Sequence, residues 1–186
     1  MSAYTDAIAS APTDVACSLL RGSEGAFGAR RDGGRSHEGI DIVANRSSSD
    51  RRIYRVMATG NGLVAFAGDA GTGPSDGYGH TVVVDHCNGF YTLYAHLAAN
   101  ASAGVVSLGQ RVRAGDVIGY LADLNNGETS SGDARLIAPY LRIQLHFECF
   151  EAPAGARSTC GLAPFRSGAT PDDPTAALLA FGYDSF

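Results

Sequence analysis

Seven short apolar runs, broken by glycine or polar turns, fill the chain from residue 39 to residue 150. They are "GIDIVA" (39–44), "IYRVMA" (53–58), "GLVAFAG" (62–68), "HTVVVDH" (80–86), "FYTLYAHL" (90–97), "DVIGYL" (116–121) and "LRIQLHFECF" (141–150). Short length and abundant valine, isoleucine, tyrosine and phenylalanine make these strands rather than helices. The 24 glycines are scattered, without a collagen period or a linker block, which fits a chain of tight turns. A mainly β fold follows. "HTVVVDH" and "FYTLYAHL" read as a hairpin with Asn88 and Gly89 in its turn.

The flanks read differently. Residues 1–26 form a small, polar extension with a short helix expected over Thr13–Leu20. Residues 27–150 form the main domain, in which 45–52 and 124–139 are loops. Residues 151–186 add a loop and a short helix on the same domain, with Asp173 as N-cap and Pro174 as first helical residue. The length of 186 residues suits one domain on the usual scale of ~100–200.

Composition removes several function classes. The net charge is −5 and no basic cluster occurs, so nucleic acid is not an expected partner. No apolar stretch is long enough to span a membrane. Lysine is absent, which excludes Schiff-base chemistry, P-loops and lysine-tethered cofactors. "GQRVRAGDVIG" (109–119) resembles the turn of biotinyl and lipoyl carriers, but a carrier needs a modifiable lysine. The four cysteines, Cys17, Cys87, Cys149 and Cys160, allow three pairings. Cys149 and Cys160 flank a Pro/Gly-rich loop and would close it in an oxidising compartment. Four reduced thiols are the alternative. No C-x-x-C occurs, against an all-cysteine zinc site.

Five histidines carry the candidate chemistry: His37, His80, His86, His96 and His146. In "RIQLHFE", strand alternation puts Gln144, His146 and Glu148 on a polar face opposite Leu145, Phe147 and Cys149. In "SHEGID", His37 and Asp41 read either as a surface pair or as half of a metal site. Two histidines and a carboxylate are a standard catalytic zinc set, and His37, Asp41 and His146 supply it. His96 shares a strand face with Phe90, Thr92 and Tyr94, and reads as a general base, a transition-state donor or a structural histidine. His80 and His86 read as structural. The hydroxyl of Tyr78, Tyr91 or Tyr94 is available to stabilise an oxyanion.

Five segments in order carry a family resemblance: "FGARRDGGRSHEGIDIVA", "GLVAFAG", "YGHTVVVDHCNGFYTLYAHL", "VVSLGQRVRAGDVIGYL" and "LHFE". The chain resembles the lysostaphin/LytM-type peptidoglycan metalloendopeptidases over residues 27–150. The resemblance implies a compact, mainly antiparallel β domain, barrel-sandwich-like, with a groove over the sheet. It implies Zn2+ held by His37, Asp41 and His146, with His96 as a catalytic histidine that does not bind metal. It implies peptidoglycan peptides as substrate and a site of action outside the cytoplasm.

One departure stands out. The family usually writes H-L-H-F-E where this chain has Gln144-Leu145-His146-Phe147-Glu148, after a longer loop that lacks the usual G-P-H approach. Gln144 donates a neutral hydrogen bond but exchanges no proton near neutral pH. Two functions follow as expectations: a zinc endopeptidase with Gln144 as a neutral donor, or an impaired relative that regulates wall hydrolases or binds the wall. The N-terminus lacks the basic start and apolar run of a signal peptide. A removed leader, a phage lysis enzyme or a signal-independent effector, the last with an immunity or regulator partner, would each fit.

Overall fold

The computed structural model describes residues 6–13, 17–19, 25–31, 34–44, 54–71, 77–122, 143–152, 160 and 169–185. The strands are β1 (Cys17–Leu19), β2 (Ile40–Ala44), β3 (Arg55–Met57), β4 (Gly62–Asp69), β5 (His80–Asp85), β6 (Phe90–Leu97), β7 (Arg111–Val112), β8 (Val117–Tyr120), β9 (Gln144–Glu151), β10 (Thr170–Asp172) and β11 (Asp184–Ser185). Two short helices, α1 (Ala99–Ser102) and α2 (Thr175–Ala180), complete the described elements.

One large sheet runs β11-β1-β2-β9-β6-β5-β4-β7, and β3 pairs with β8 in a second, small sheet. All pairings are antiparallel except β1 with β11. β9 is the hub. β6 lines one edge, while β2 opposes Gln144–Phe147 and β10 opposes Cys149–Glu151 along the other. Alternation sends Leu145, Phe147 and Cys149 into the main core. There they meet Ile40 and Ile42 of β2, Val82 and Val84 of β5, Val56 and Ile118 of the small sheet, and Leu178 of α2. The opposite face carries a smaller apolar cluster of Val83, Tyr91, Leu93, Ala95, Phe150 and Ala152.

The β5–β6 hairpin turns where expected. Asp85 Oδ1 accepts the Cys87 N–H, Asn88 Oδ1 accepts the Phe90 N–H, and Gly89 takes a φ of 91°. Three expectations need correction. Residues 17–19 form β1, not part of a helix, because β2 and β11 both offer ladder partners that outweigh local preference. Cys160 pairs with Cys87 across a sequence separation of 73, not with Cys149, and four free thiols are excluded with it. Cys149 points into the core from β9, and Cys17 is likewise a buried thiol outside the disulfide. Helix α2 begins one residue late, with Pro174 in the cap position and Asp173 Oδ1 accepting the Thr175 N–H. The loops expected at 45–52 and 124–139 lie outside the described residues.

Candidate metal centre

The β2–β9 ladder brings Asp41 directly opposite His146. Directly opposed side chains share a face, with Cβ atoms about 4.5–5.5 Å apart. His37 lies four residues before Asp41, and its Nδ1 donates to the Ala26 carbonyl at 2.9 Å. This aims Nε2 at the pair: it lies 2.9 Å from His146 Nδ1 and 3.4 Å from Asp41 Oδ1. His146 Nδ1 is 3.0 Å from Asp41 Oδ1, and its Nε2 is 2.7 Å from Glu148 Oε1. All three residues are buried.

These contacts fix where the lone pairs point. A carbonyl only accepts, so His37 Nδ1 carries a hydrogen and Nε2 of the neutral ring is bare. A carboxylate only accepts, so His146 Nε2 carries a hydrogen and Nδ1 of the neutral ring is bare. One ligand atom from each of His37, Asp41 and His146 therefore converges, all within 4.8 Å of one another. Only a proton or a cation can hold three such atoms together. As a proton site, His146 is pushed up to about 9: burial opposes this, but hydrogen bonds to Asp41 and Glu148 and their charge outweigh it. Burial likewise pushes the Asp41 carboxyl up, yet contacts with His146 and His37 leave it well below the usual carboxylate range. The donor set fits a zinc ion, with the histidine backed by a carboxylate in the way metal-binding histidines usually are.

His96 reaches this cluster by a different route from the one its sequence suggests. Phe90 and Tyr94 pack in the main core, on the face away from the site. The site face of β6 belongs to Tyr91, Leu93 and Ala95, with Ala95 opposite His146. Between the Val82–Tyr94 and His80–Leu97 pairs, β6 carries one extra residue. His96 sits in that bulge with a φ of 61°, its N–H donated to the Tyr78 carbonyl. A bulge re-aims a side chain, and here it brings the His96 ring centroid within 5.8 Å of that of His146. Burial, then the positive charge on His146, push His96 down to about 4, so it is a neutral imidazole at neutral pH.

Gln144 shares the site face of β9 with His146. It is 8% exposed, and its Oε1 has no hydrogen-bond partner among the described residues. Of the three tyrosines, Tyr78 stands at the site, its ring 5.5 Å from that of His146. Tyr94 is in the core, bonded to Thr59 and Thr92, and Tyr91 donates to Asp85. His80 and His86 lie outside the metal cluster.

Sequence reasoning missed the supporting residues. Glu148 binds both His146 and the Tyr78 hydroxyl, the latter at 3.0 Å. Its only signal was its place two residues after His146 on the polar face. Arg31 pairs with the second oxygen of Asp41 at 3.4 Å. Gly39 leaves room for the centre: a Cβ there would lie 2.9 Å from His146 Cε1 and 2.7 Å from Glu148 Cγ.

Comparison with known proteins bears on the same residues. A DD-carboxypeptidase/endopeptidase, Mpg, of Neisseria meningitidis serogroup B is 38% identical over 87 residues, 47% of this chain and 16% of that protein. The match therefore spans a small part of the relative's length. Lysostaphin from Staphylococcus simulans is 21% identical, covering 86% of this chain and 49% of that one, at a TM-score of 0.52. A structure described as a putative glycyl-glycine endopeptidase lytM from Ruminococcus gnavus is 20% identical, covering 91% and 57%, at a TM-score of 0.58. These two likenesses are of fold. The family model for peptidase family M23 matches residues 35–153, more than half of the chain and a span that holds His37, Asp41, His96 and His146. The chain belongs to peptidase family M23.

Proposed function

We propose that this chain is a zinc-dependent endopeptidase that hydrolyses peptide bonds of bacterial peptidoglycan. The observation that carries it is the convergence of His37 Nε2, Asp41 Oδ1 and His146 Nδ1, each backed by a second contact. Zinc held there would polarise a peptide carbonyl and lower the pKa of water to about 7. His96 faces the same space as a neutral imidazole, suited to take a proton from the nucleophile and pass it to the departing amine. Gln144 offers its amide to the substrate backbone without exchanging a proton. The site face of β6 and β9 is backed by the buried apolar cluster that includes Leu93, Ala95 and Phe150, which holds it firm. Action outside the cytoplasm is supported by the Cys87–Cys160 disulfide, since such bonds persist in oxidising compartments. Among the described residues no helix is long and apolar enough to cross a membrane.

Gln144 favours one second reading: an impaired family member that regulates wall hydrolases or binds the wall. Zinc content and hydrolysis of defined peptidoglycan fragments decide between them. The enzyme reading expects about one zinc per chain and turnover that falls at least 100-fold in His96→Ala, in the range of losing an acid–base group. Bound zinc with no turnover in either protein defeats it. Recovery of turnover in Gln144→His alone would then establish the impaired reading.

A further inference from the structure

Tyr78 is bonded to both halves of the site. Its hydroxyl donates to Glu148 Oε1 at 3.0 Å, the same oxygen that takes the Nε2–H of His146. Its carbonyl accepts the His96 N–H at 2.9 Å. One residue thus meets the carboxylate behind a candidate ligand and the backbone of the candidate proton carrier.

Each bond holds something that would otherwise shift. Glu148 is 1% exposed. A hydrogen bond to a carboxylate is roughly twice as strong as one between neutral groups, and this one fixes the oxygen that orients His146. His96 has a φ of 61°, a conformation that costs free energy in any residue with a side chain and persists only where its surroundings hold it. The Tyr78 carbonyl is such a hold. The bracket is itself anchored at the next residue. Gly79 takes a φ of 60°, and its carbonyl accepts the Ala70 N–H at 2.9 Å and the Thr81 hydroxyl at 3.0 Å. The Gly79 N–H reaches the Gly71 carbonyl at 3.2 Å, which closes the connection between β4 and β5.

A hydroxyl has one hydrogen and a carboxylate only accepts, so the Tyr78 hydrogen is committed to Glu148. That separates Tyr78 from an oxyanion donor. We infer that Tyr78 is a positioning residue, whose hydroxyl keeps Glu148 on His146 while its carbonyl keeps His96 beside the same centre. The inference rests on the zinc-peptidase reading above and adds the part that holds ligand and proton carrier in register.

The test is Tyr78→Phe, which keeps the ring and the carbonyl and removes the hydroxyl. Zinc affinity, by chelator competition, is expected to fall about tenfold, the low end of the loss for an outer partner. In a Glu148→Gln background the same change is expected to cost under about twofold, because members of one network are not additive. Tyr91→Phe removes a matching bond to Asp85 further along β6, and is expected to leave zinc affinity within about twofold. Hydrogen exchange at the His96 amide of zinc-free protein is expected to quicken about tenfold in Tyr78→Phe, with Val83 unchanged. At saturating zinc, kcat is expected to fall while KM stays within about twofold. Unchanged zinc affinity or unchanged His96 exchange overturns the inference, and a loss of kcat alone would make Tyr78 an oxyanion donor. Equal zinc losses in the two backgrounds also overturn it, since a change that merely loosens the fold adds to any other. Wild-type protein that binds no zinc defeats the peptidase reading instead, and the exchange rates alone then judge the bracket.

Discussion

Two buried histidines on the same sheet, His146 and His86, have opposite surroundings. His146 has a carboxylate at each ring nitrogen, and its Nδ1 lies within 3.0 Å of two further ligand atoms. His86 hydrogen-bonds neutral groups: Nδ1 donates to the Asn61 carbonyl at 2.9 Å, and Nε2 lies 2.8 Å from the Thr92 hydroxyl, while burial outweighs the pull of the nearby Asp85 charge. That hydroxyl continues through Tyr94 to Thr59 and the Ala7 carbonyl, a closed chain of hydrogen bonds. Burial pushes His86 down, while carboxylates push His146 up. Both are polar networks in a dry setting. Among the described residues, only the first turns one ligand atom from each of three side chains toward a common point. That convergence, rather than burial or histidine content, is what separates the two networks.

The largest effect should separate the two networks outright. His146→Ala is expected to lower zinc affinity by well over the 10–100-fold that losing an outer partner costs. His86→Ala is expected to leave affinity within about twofold and to lower stability by about 1–3 kcal/mol through an orphaned hydroxyl. Competition with a chromogenic chelator and thermal unfolding measure both. A His86→Ala protein that folds but loses zinc would break the distinction.

Next in size is the support of each ring. Glu148→Gln keeps an acceptor for His146 but removes its charge, and zinc affinity should fall about 10–100-fold. Thr92→Val, the matching change beneath His86, should lower the melting temperature and leave zinc affinity unchanged. Equal zinc affinities for wild type and Glu148→Gln would mean that His146 is oriented by packing alone.

The sequence made one half of this legible. Period-2 alternation in "QLHFECF" placed His146 and Glu148 on one face and Leu145, Phe147 and Cys149 in the core. Its spacing could not reveal which strands flank β9, so the grouping of Asp41 with His146 rested on the chemistry of a zinc ligand set and on family likeness. His96 was assigned to the wrong face because an extra residue in a strand leaves no trace in periodicity. The strands β1, β7, β10 and β11 span two or three residues each, too few to carry a pattern. The disulfide escaped for a similar reason: Cys87 and Cys160 meet because the hairpin turn and a distant segment are neighbours only in the fold.

A third test uses pH. His146 goes from an ordinary 6.5 to about 9 in the folded, metal-free protein, so its contribution to stability is complete below 6.5 and is lost as pH climbs through about 9. Asp41 is lowered, so its share is present above 3.8 and is lost on acidification. These are two views of one contact, not a sum. In chelator, stability should fall between pH 6.5 and 9 by an amount on the order of a few kcal/mol. With zinc bound that fall should vanish, and zinc affinity should rise with pH because the Nδ1 proton must leave. Identical pH curves with and without zinc would place the ion elsewhere.

The smallest expected effect concerns Gln144, whose oxygen is buried without a partner among the described residues. An orphaned buried acceptor costs stability, and an apolar group of similar shape removes that cost. Gln144→Met should therefore raise stability by up to about 1 kcal/mol. In a residue with no role, that gain would come with unchanged hydrolysis. In a residue kept for the substrate, the same change should lower turnover, because the amide it removes is the one that would meet the peptide. Thermal unfolding and hydrolysis rates on one protein sample settle it. A more stable and equally active Gln144→Met would place Gln144 with His86 as scaffold, despite its position beside His146.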